Sequence, residues 1–281
     1  MKPFPWHDRP PPLLRLLAGA FLLFYTLGLA ALLGCILGDG MIFRPPTHHY
    51  QDGPQILKVP VRGTSEVISA VYLPNTEAPF VILYNHGTGD HLGEISPLLE
   101  DMREHGYGVF AYDYEGYGTS SGTPSETSVY RDAEAAYDYL KEVLAVGPRQ
   151  IIPYGFSLGG APAVDLAARH EVRALILEST FVSAFRVRTR FALLPFDRFE
   201  NLSKMPEVKC PALVLHSRDD PLIGLWHAEE LHRASPAGWL VEFQNGGHGD
   251  ARIVEGKEYW SALTSFTTSV PGAVERAAAT G

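Results

Sequence analysis

Apolar runs of strand length recur along the chain from residue 55 onward, and segments with helical spacing separate most of them. The runs FVILYN, GVFAYDY, QIIPY, VRALILE, ALVLHS and WLVEFQ stand at residues 80–85, 108–114, 150–154, 172–178, 212–217 and 239–244. Continuously apolar strands between helices are typical of a mostly parallel sheet with helices on both faces. The pattern therefore predicts one α/β domain over residues 55–269.

Helical spacing of apolar residues marks the segments between these strands. One apolar face runs along residues 128–146, and Ser96 followed by Pro97 is typical of the N-cap and first position of another helix. Further helices are predicted over residues 157–170, 225–235 and 257–269. Most of these helices would connect two parallel strands, which need a crossover of that length.

The segments at the start of the α/β domain and on either side of it lack the alternation of apolar strands and helices. Two β-rich runs at 55–61 and 67–73 flank the turn-like residues 62–65 and predict a β-hairpin. Residues 39–54 contain three prolines, which cannot continue a helix, so we interpret them as a linker. Residues 270–281 have no apolar periodicity, and we expect a mobile tail there.

The N-terminus carries a long uncharged stretch. Residues 16–38 are 23 positions without a charged side chain, enough for a helix to span a hydrocarbon core of about 30 Å. The apolar core of a secretory signal peptide is shorter, about 7–15 residues. Basic residues precede the stretch, and such residues collect on the cytoplasmic side of a membrane. The sequence predicts a cytoplasmic N-terminus over 1–15, a single transmembrane helix over 16–38 as anchor, and an extracytoplasmic domain.

Two other interpretations of this stretch stay open. Leu32-Leu33-Gly34-Cys35 resembles the cleavage box of a bacterial lipoprotein, and cleavage there would leave a lipid on Cys35. The stretch could also be a signal peptide that is removed without lipidation. All three interpretations carry the α/β domain across a membrane, and the first two make membrane lipid a partner of the protein.

Composition narrows the classes of function. The 281 residues carry a formal net charge of −9, which argues against nucleic acid as a partner. The two cysteines are too few for a disulfide framework, and one of them lies in the apolar stretch, so Cys210 is expected to stay free. The length suits one large domain with a short appendage.

A candidate nucleophile lies between a predicted strand and a predicted helix. Residues 155–159 read Gly-Phe-Ser-Leu-Gly, which is the pattern G-x-S-x-G. In that context the serine occupies a tight, strained turn that exposes its hydroxyl above the sheet, while the following helix offers backbone N–H groups to a developing oxyanion. We therefore predict that Ser157 is a catalytic nucleophile.

A serine nucleophile needs a base, and the base needs an orienting acid, in the chain order Ser, Asp or Glu, His for this type of turn. His248 stands in a glycine-rich loop after the last strand and is the predicted base. Asp220, after the strand at 212–217, is the favoured acid, with Asp219 and Glu178 as alternatives. Strand ends are where open α/β sheets place their sites.

The oxyanion hole is expected to have two backbone donors. One is the N–H of Leu158, which follows the nucleophile, and the other comes from the loop after the first long strand. That loop reads Asn-His-Gly-Thr-Gly-Asp over 85–90, and we assign the second donor to Thr88. His86 is expected to hold this loop by hydrogen bonds.

Nothing in the sequence calls for a metal or a cofactor. His91 and Asp90 form a pair that lacks a third ligand at a suitable spacing. Residues 116–118 read Gly-Tyr-Gly after a strand, but the last glycine and the acidic partner of a dinucleotide motif are missing. We therefore expect neither a metal site nor a cofactor site.

With these motifs placed, the chain resembles the membrane-anchored α/β-hydrolase-domain serine hydrolases, a group that includes eukaryotic protein depalmitoylases and their bacterial relatives. The similar stretches lie at residues 41–46, 86–90, 113–126, 155–160, 177–181, 209–223 and 246–250. The resemblance implies the α/β-hydrolase fold and a triad of Ser157, Asp220 and His248. Two features depart from it: Ser217-Arg218 replaces a Gly-Thr pair of many relatives, and an N-terminal cysteine cluster is missing.

The substrate is less well defined by the sequence. About 30 residues separate the strands that end at 178 and begin at 212, which allows only a small cap. Within it, Arg186, Arg188 and Arg190 form either an ordinary solvated face or a cationic lip for anionic lipid. The leading hypothesis is a hydrolase of acyl esters or thioesters near a membrane. The alternatives are an aminopeptidase-like amide hydrolase and a non-enzymatic, membrane-anchored binding module.

Overall fold

A computed structural model describes residues 11–190 and 197–270, without the side chains of residue 27 and residues 30–38. In this part of the chain, eight strands form one sheet in the order β1-β2-β4-β3-β5-β6-β7-β8. The strands are β1 (Leu57–Pro60), β2 (Val67–Leu73), β3 (Val81–Asn85), β4 (Gly108–Tyr112), β5 (Ile151–Phe156), β6 (Leu175–Glu178), β7 (Ala212–Ser217) and β8 (Gly238–Phe243).

The sheet is mostly parallel, as predicted. β1 pairs antiparallel with β2, and β2 pairs antiparallel with β4. Every pair from β4 through β3 to β8 is parallel, so the carboxyl ends of these strands share one edge. Strands β3, β4, β6 and β7 are buried along their whole length, which explains their continuous apolar runs.

Helices cover both faces of the sheet. The helices of the described chain are α1 (Pro12–Ile42), which precedes the sheet, and α2 (Leu92–Glu104), α3 (Glu126–Glu142), α4 (Gly160–Arg169), α5 (Asn201–Lys204), α6 (Trp226–Ala234), α7 (Ala251–Val254) and α8 (Lys257–Ser269). Buried residues of α3, α4 and α6 belong to the core on one face. Those of α2, α7 and α8 belong to the core on the other face. The prediction of a sheet covered on both sides is confirmed.

Some predicted boundaries agree with the structure, and others differ from it. The strand at 212–217 and the helix at 257–269 have their predicted bounds. The helix expected to begin at Ser96 and Pro97 begins at Leu92, and Pro97 lies inside it. The N-cap residue of this helix is His91, whose Nδ1 accepts a hydrogen bond from the Gly93 N–H. Histidine is uncommon at the N-cap, whereas serine is common there. The sequence therefore favoured Ser96 as the N-cap, which is wrong.

The N-terminal helix is longer than the predicted anchor. α1 continues to Ile42, and Phe43, the first residue after it, is buried against the domain. Thus part of the predicted linker over 39–54 is helix and part is packed chain. Over the residues that the structure describes, none of the helices combines the length and apolar character that crossing a bilayer requires. The prediction that residues 16–38 form a transmembrane helix is therefore not confirmed. Within this segment, the side chains of residue 27 and residues 30–38 are not described.

The cap between β6 and β7 consists of short elements. Within its described residues it has single 3-10 turns at Phe185–Val187 and Met205–Glu207, together with α5. Residues 191–196 of the cap lie outside the described part of the chain, as do residues 1–10 of the predicted N-terminal segment and 271–281 of the predicted tail. Cys35, the candidate lipidation site, is among the side chains that are not described.

Candidate active site

The predicted site residues follow four different strands of the sheet. Thr88 comes after β3, Ser157 after β5, Asp220 after β7 and His248 after β8. These four strands are parallel, so their carboxyl ends lie on the same edge. The topology thus brings together residues that are up to 160 positions apart, from 88 to 248, in the chain.

Ser157 occupies the strained turn that the G-x-S-x-G pattern predicts. Its φ angle is +52°, in the left-handed region that is uncommon for residues with a side chain. Gly159 allows this turn to approach β3, because a Cβ atom there would lie 1.9 Å from the Asn85 carbonyl oxygen. The Thr180 hydroxyl donates a hydrogen bond of 2.6 Å to the Ser157 carbonyl. The turn is therefore held by packing and by a hydrogen bond.

His248 bridges the serine and a carboxylate. Its Nε2 lies 3.0 Å from the Ser157 Oγ, and its Nδ1 lies 2.8 Å from the Asp220 Oδ2. Because an ionised carboxylate only accepts hydrogen bonds, Nδ1 carries the proton and Nε2 is free to accept one from the serine hydroxyl. The three side chains form one continuous hydrogen-bonded chain.

Asp220 is held in its ionised form by its surroundings. Its side chain is fully buried, and its Oδ1 accepts hydrogen bonds from the N–H groups of Leu222 (2.8 Å) and Ile223 (2.9 Å). Burial by itself raises the pKa of Asp220, but hydrogen bonds from His248 and from these two N–H groups outweigh it and lower the pKa. The carboxylate can therefore stabilise a positive charge on His248.

The two alternative acids have other partners. The Oδ1 of Asp219 accepts a hydrogen bond of 2.9 Å from the Gly247 N–H and so supports the loop that carries His248. Glu178 is buried and accepts hydrogen bonds from the hydroxyls of Tyr154 (2.5 Å) and Tyr259 (3.2 Å). Burial is the main cause of the raised pKa of Glu178. Of the three candidates, only Asp220 is hydrogen-bonded to His248.

The loop proposed to carry an oxyanion donor lies beside the nucleophile turn. Gly87 packs against Phe156, the residue before Ser157, and the N–H of Gly87 donates to the Asp90 Oδ2 over 3.1 Å. The Thr88 N–H has no acceptor among the described residues. It therefore remains available as a hydrogen-bond donor to a ligand. Leu158, the other predicted donor, is buried and is the middle residue of the 3-10 turn Ser157–Gly159 that precedes α4.

Sequence reasoning missed two residues that support the site. His216 lies 3.6 Å from Asp220, and Tyr50 donates a hydrogen bond to the buried Asp113 beneath the Thr88 loop. The signal for His216 was available, since a histidine in an otherwise apolar strand next to the acid is unusual. No local pattern distinguishes Tyr50, because its partner is 63 residues away.

The pair Asp90 and His91 has structural partners. Asp90 accepts a hydrogen bond from Gly87, and His91 caps α2. Over the described ranges 11–190 and 197–270, no group of three or more histidine, cysteine or acidic side chains is arranged to hold a metal ion. Cys210, expected to stay free, forms no disulfide in this part of the chain.

Comparison with known proteins identifies the family. The Caenorhabditis elegans "Alpha/beta hydrolase domain-containing protein aho-3" is 36% identical over 212 residues, which are 73% of this chain and 62% of that protein. The human "Alpha/beta hydrolase domain-containing protein 17B" is 35% identical over 199 residues, 68% of this chain and 67% of that protein. The chain belongs to the α/β-hydrolase domain-containing protein family. It spans less than two thirds of the length of the C. elegans relative.

Other similarities agree with this family of α/β-hydrolases. The family described as "Serine aminopeptidase, S33" matches residues 76–195. An esterase from Pyrococcus furiosus superposes with a TM-score of 0.69 at 20% identity, over 82% of this chain and all of that one. Est1E from Butyrivibrio proteoclasticus, with ferulic acid bound, gives a TM-score of 0.64 at 19% identity, over 76% of this chain and 98% of that one. The predicted α/β-hydrolase fold is confirmed.

Proposed function

We propose that this α/β-hydrolase is a serine hydrolase that cleaves acyl esters or thioesters through an acyl-enzyme intermediate. The observation that carries the proposal is the hydrogen-bonded chain from Asp220 through His248 to Ser157. Nucleophile, base and orienting acid are the three groups that covalent acyl transfer requires, and they are recognised by geometry. The strained turn at Ser157 and the unengaged Thr88 N–H are further support.

Acylation begins when the Ser157 Oγ attacks the substrate carbonyl carbon while its proton passes to the His248 Nε2. The carbonyl oxygen becomes an oxyanion, which the backbone N–H groups of Thr88 and Leu158 stabilise. Asp220 stabilises the imidazolium without taking its proton. The bond from the carbon to the leaving oxygen or sulfur then breaks, His248 returns the proton to that atom, and the acyl group remains on Ser157.

Deacylation repeats the same steps with water. His248 takes a proton from the water as the water oxygen attacks the acyl carbon, and the second oxyanion occupies the same two donors. The bond to the Ser157 Oγ breaks, and His248 gives the proton back to it. The products are the free acid and the regenerated enzyme, so no cofactor takes part in this scheme.

The cap favours substrates with a large or membrane-borne leaving group. Its described elements are two single turns and the four-residue helix α5, and these elements offer little enclosure for a small free ester. Arg186 and Arg190 lie 5.0 Å and 5.9 Å from the ring centroid of Trp226, as in cation–π contacts. With Arg188 they place three cations on the cap of an acidic protein. We propose that these cations orient the site towards anionic head groups.

An aminopeptidase-like activity is the second candidate, favoured by the description of the family that matches residues 76–195. Such an enzyme needs acidic groups that bind the amino terminus of a peptide. The acidic residues beside the triad have other partners: Asp219 accepts from Gly247, Asp90 accepts from Gly87, and Glu178 binds two tyrosines. These partners favour ester or thioester cleavage over peptide cleavage.

We also propose that residues 16–38 anchor the protein as a single-pass segment, with the domain on the extracytoplasmic side. The support is the uncharged sequence of the stretch and the exposure of its described apolar side chains, among them Leu16, Phe21 and Phe24. Lipid attachment at Cys35 is the competing form of anchoring. Carbonate washing and mass spectrometry of the mature protein test the two: a retained N-terminus supports a spanning segment, and a lipidated Cys35 contradicts it.

The experiment for the proposed activity combines labelling with a substrate panel. A fluorophosphonate probe should label the native enzyme and should not label Ser157→Ala. The panel compares esters, thioesters and aminoacyl amides over a range of acyl lengths. Faster hydrolysis of esters or thioesters supports the proposal, whereas selective amide cleavage supports the second candidate. A folded protein that neither reacts with the probe nor hydrolyses any substrate would be a non-enzymatic binding module.

A further inference from the structure

The peptide group between Gly87 and Thr88 has two ends with different partners. Its N–H belongs to Thr88 and is the proposed oxyanion donor. Its carbonyl oxygen belongs to Gly87 and lies 2.7 Å from the His86 Nδ1. A peptide group is planar, so fixing the carbonyl also fixes the direction of the N–H. Whatever orients this loop therefore orients the donor.

The side chain of Thr88 joins this loop to the end of α1. Its hydroxyl donates a hydrogen bond of 2.7 Å to the carbonyl oxygen of Ile42, the last residue of that helix. The Tyr117 hydroxyl lies 3.2 Å from the Thr88 Oγ1 and donates to the Thr88 carbonyl over 3.0 Å. The loop is thus held from two sides, by Tyr117 and by Ile42 at the end of α1.

Residues 42–50, which we name the strap, begin at the last residue of α1 and lead along the surface of the domain. Phe43 is buried, and its ring contacts Phe199 edge-on with 6.0 Å between centroids. At the other end, the Tyr50 hydroxyl donates to the Asp113 Oδ2 and accepts a hydrogen bond of 3.1 Å from the Thr119 N–H. Both ends of the strap are therefore fixed to the domain.

Asp113 connects the second end of the strap to the same loop. Its Oδ1 lies 3.4 Å from the His86 Nε2 and accepts a hydrogen bond of 2.8 Å from the Leu92 N–H. Burial by itself lowers the pKa of His86, but Asp113 and the Gly87 carbonyl outweigh it and raise the pKa. His86 thus lies between Asp113 and the carbonyl of the donor peptide.

We propose that the strap is a positioning element for the oxyanion hole. It acts at one end through the Thr88 hydroxyl on Ile42, and at the other through Tyr50, Asp113 and His86. Thr88, through its side chain, and Tyr50 are positioning residues, and the backbone N–H of Thr88 is the group that meets the substrate. The inference rests on the proposed hydrolase function and adds that the entering chain completes the site.

The test uses the full chain and four variants. Thr88→Val removes the hydroxyl that binds Ile42, and Thr88→Ser keeps it. Tyr50→Phe removes the hydroxyl that binds Asp113. Tyr72→Phe is the matched control, because the Tyr72 hydroxyl has no hydrogen-bond partner among the described residues. Fluorophosphonate titration counts active sites, so kcat and KM on an activated ester refer to folded enzyme only.

A transition-state analogue separates positioning from folding. A trifluoromethyl ketone adds the Ser157 Oγ to its carbonyl carbon and leaves an oxyanion in the hole, so its Ki reports stabilisation of that oxyanion. KM reports ground-state binding for a substrate whose acylation is slow relative to its dissociation, and single-turnover kinetics identify such a substrate. We expect Thr88→Val to lower kcat about tenfold or more per active site, because a small displacement of a donor is costly in rate. Ki for the ketone should rise in parallel, with KM changed by less than about threefold. Tyr72→Phe should stay close to the native values, and Thr88→Ser, which keeps the hydroxyl, should recover most of the loss seen in Thr88→Val. Tyr50→Phe should follow Thr88→Val with a smaller loss.

A double-mutant cycle tests whether Thr88 acts through the strap. Phe43→Ala loosens the strap next to Ile42, so Thr88→Val should cost less in that background than in the native one. Equal costs in both backgrounds would overturn the inference. Native values of kcat and Ki in Thr88→Val would also overturn the inference. The same holds if the activity lost in Thr88→Val is fully explained by a smaller number of titratable active sites. A native enzyme without probe labelling or ester turnover would instead overturn the proposed function.

Discussion

The imidazole of His216 lies beside the carboxylate of Asp220, with 3.6 Å between its Nε2 and the Asp220 Oδ2. Both side chains are fully buried. The same nitrogen lies 2.7 Å from the Ile223 carbonyl oxygen, so Nε2 carries the proton and donates to that carbonyl. Burial lowers the pKa of His216, which keeps the ring neutral. A second histidine thus fixes the loop whose N–H groups hold the predicted acid.

We expect His216→Phe to loosen this loop. The change keeps an aromatic ring but leaves the buried Ile223 carbonyl without its donor, which costs about 1–3 kcal/mol of the free energy of unfolding. Asp220 loses part of its support, so kcat should fall about tenfold. His216→Gln retains an N–H donor and should recover part of both losses. Urea unfolding and kcat per active site measure the two effects, and native kcat in His216→Phe would contradict the expectation.

The triad is expected to act as a unit. Ser157→Ala and His248→Ala should each lower kcat by about five to six orders of magnitude. Asp220→Asn should cost about four orders, because the oriented tautomer of His248 is lost. Asp219→Asn is the matched control, since Asp219 lies next in the chain and, within the described part of it, accepts a hydrogen bond from the Gly247 N–H and none from His248. Inactivation by Asp219→Asn with an active Asp220→Asn would show that the acid is misassigned.

The sheet and the nucleophile turn could be predicted because their signals are local. The apolar run at 212–217 reflects burial on both faces, and G-x-S-x-G between a strand and a helix is a constraint of a few residues. The sequence favoured Asp220 over Asp219 as the acid but could not decide between them. Neighbouring residues in a loop point in different directions, and the turn that decides which one reaches His248 has no distinctive pattern.

The support that the strap gives to the Thr88 loop could not be predicted, because it depends on pairs of residues that are distant in the chain. Thr88 binds Ile42 across 46 positions, and Tyr50 binds Asp113 across 63. The prolines of 39–54 led us to interpret the whole segment as a linker, but α1 continues into it as far as Ile42. They did not indicate that the chain after it packs on the domain, since burial of Phe43 depends on Phe199 of the cap.

The arginines of the cap should matter only at an anionic surface. Each arginine near anionic lipid contributes about 1 kcal/mol of binding, so changing Arg186, Arg188 and Arg190 to Gln should slow hydrolysis of a vesicle-embedded acyl ester about tenfold or more. The rate should change little on neutral vesicles or on a short soluble ester, because the triad is intact. Hydrolysis on vesicles with and without phosphatidylserine measures the difference.

A second triple variant controls for the change in net charge. Arg103, Arg149 and Arg233 are exposed, and each pairs with a neighbouring glutamate. They lie near the ends of segments that lead into strands, at the sheet edge opposite to Ser157. Changing these three to Gln alters the net charge equally and should leave hydrolysis on anionic vesicles unchanged. Equal losses in the two triple variants would mean that net charge, and not the cap, governs the effect.

Acid should destabilise the protein through His227. This side chain is 1% exposed, and its Nδ1 accepts a hydrogen bond of 3.1 Å from the Val182 N–H, which requires an unprotonated nitrogen. Burial, with the neighbouring His216, lowers the pKa of His227 to about 3, against about 6.5 in the unfolded chain. Between these two pKa values the unfolded chain binds a proton that the folded protein does not. The free energy of unfolding therefore falls as the pH is lowered, by up to about 1.4 kcal/mol per pH unit.

The variant His227→Gln keeps an acceptor and does not titrate. In urea unfolding from pH 7 to pH 4, its free energy of unfolding should therefore fall less steeply than that of the native protein. Parallel pH profiles would mean that the pKa of His227 is the same in the folded and the unfolded protein.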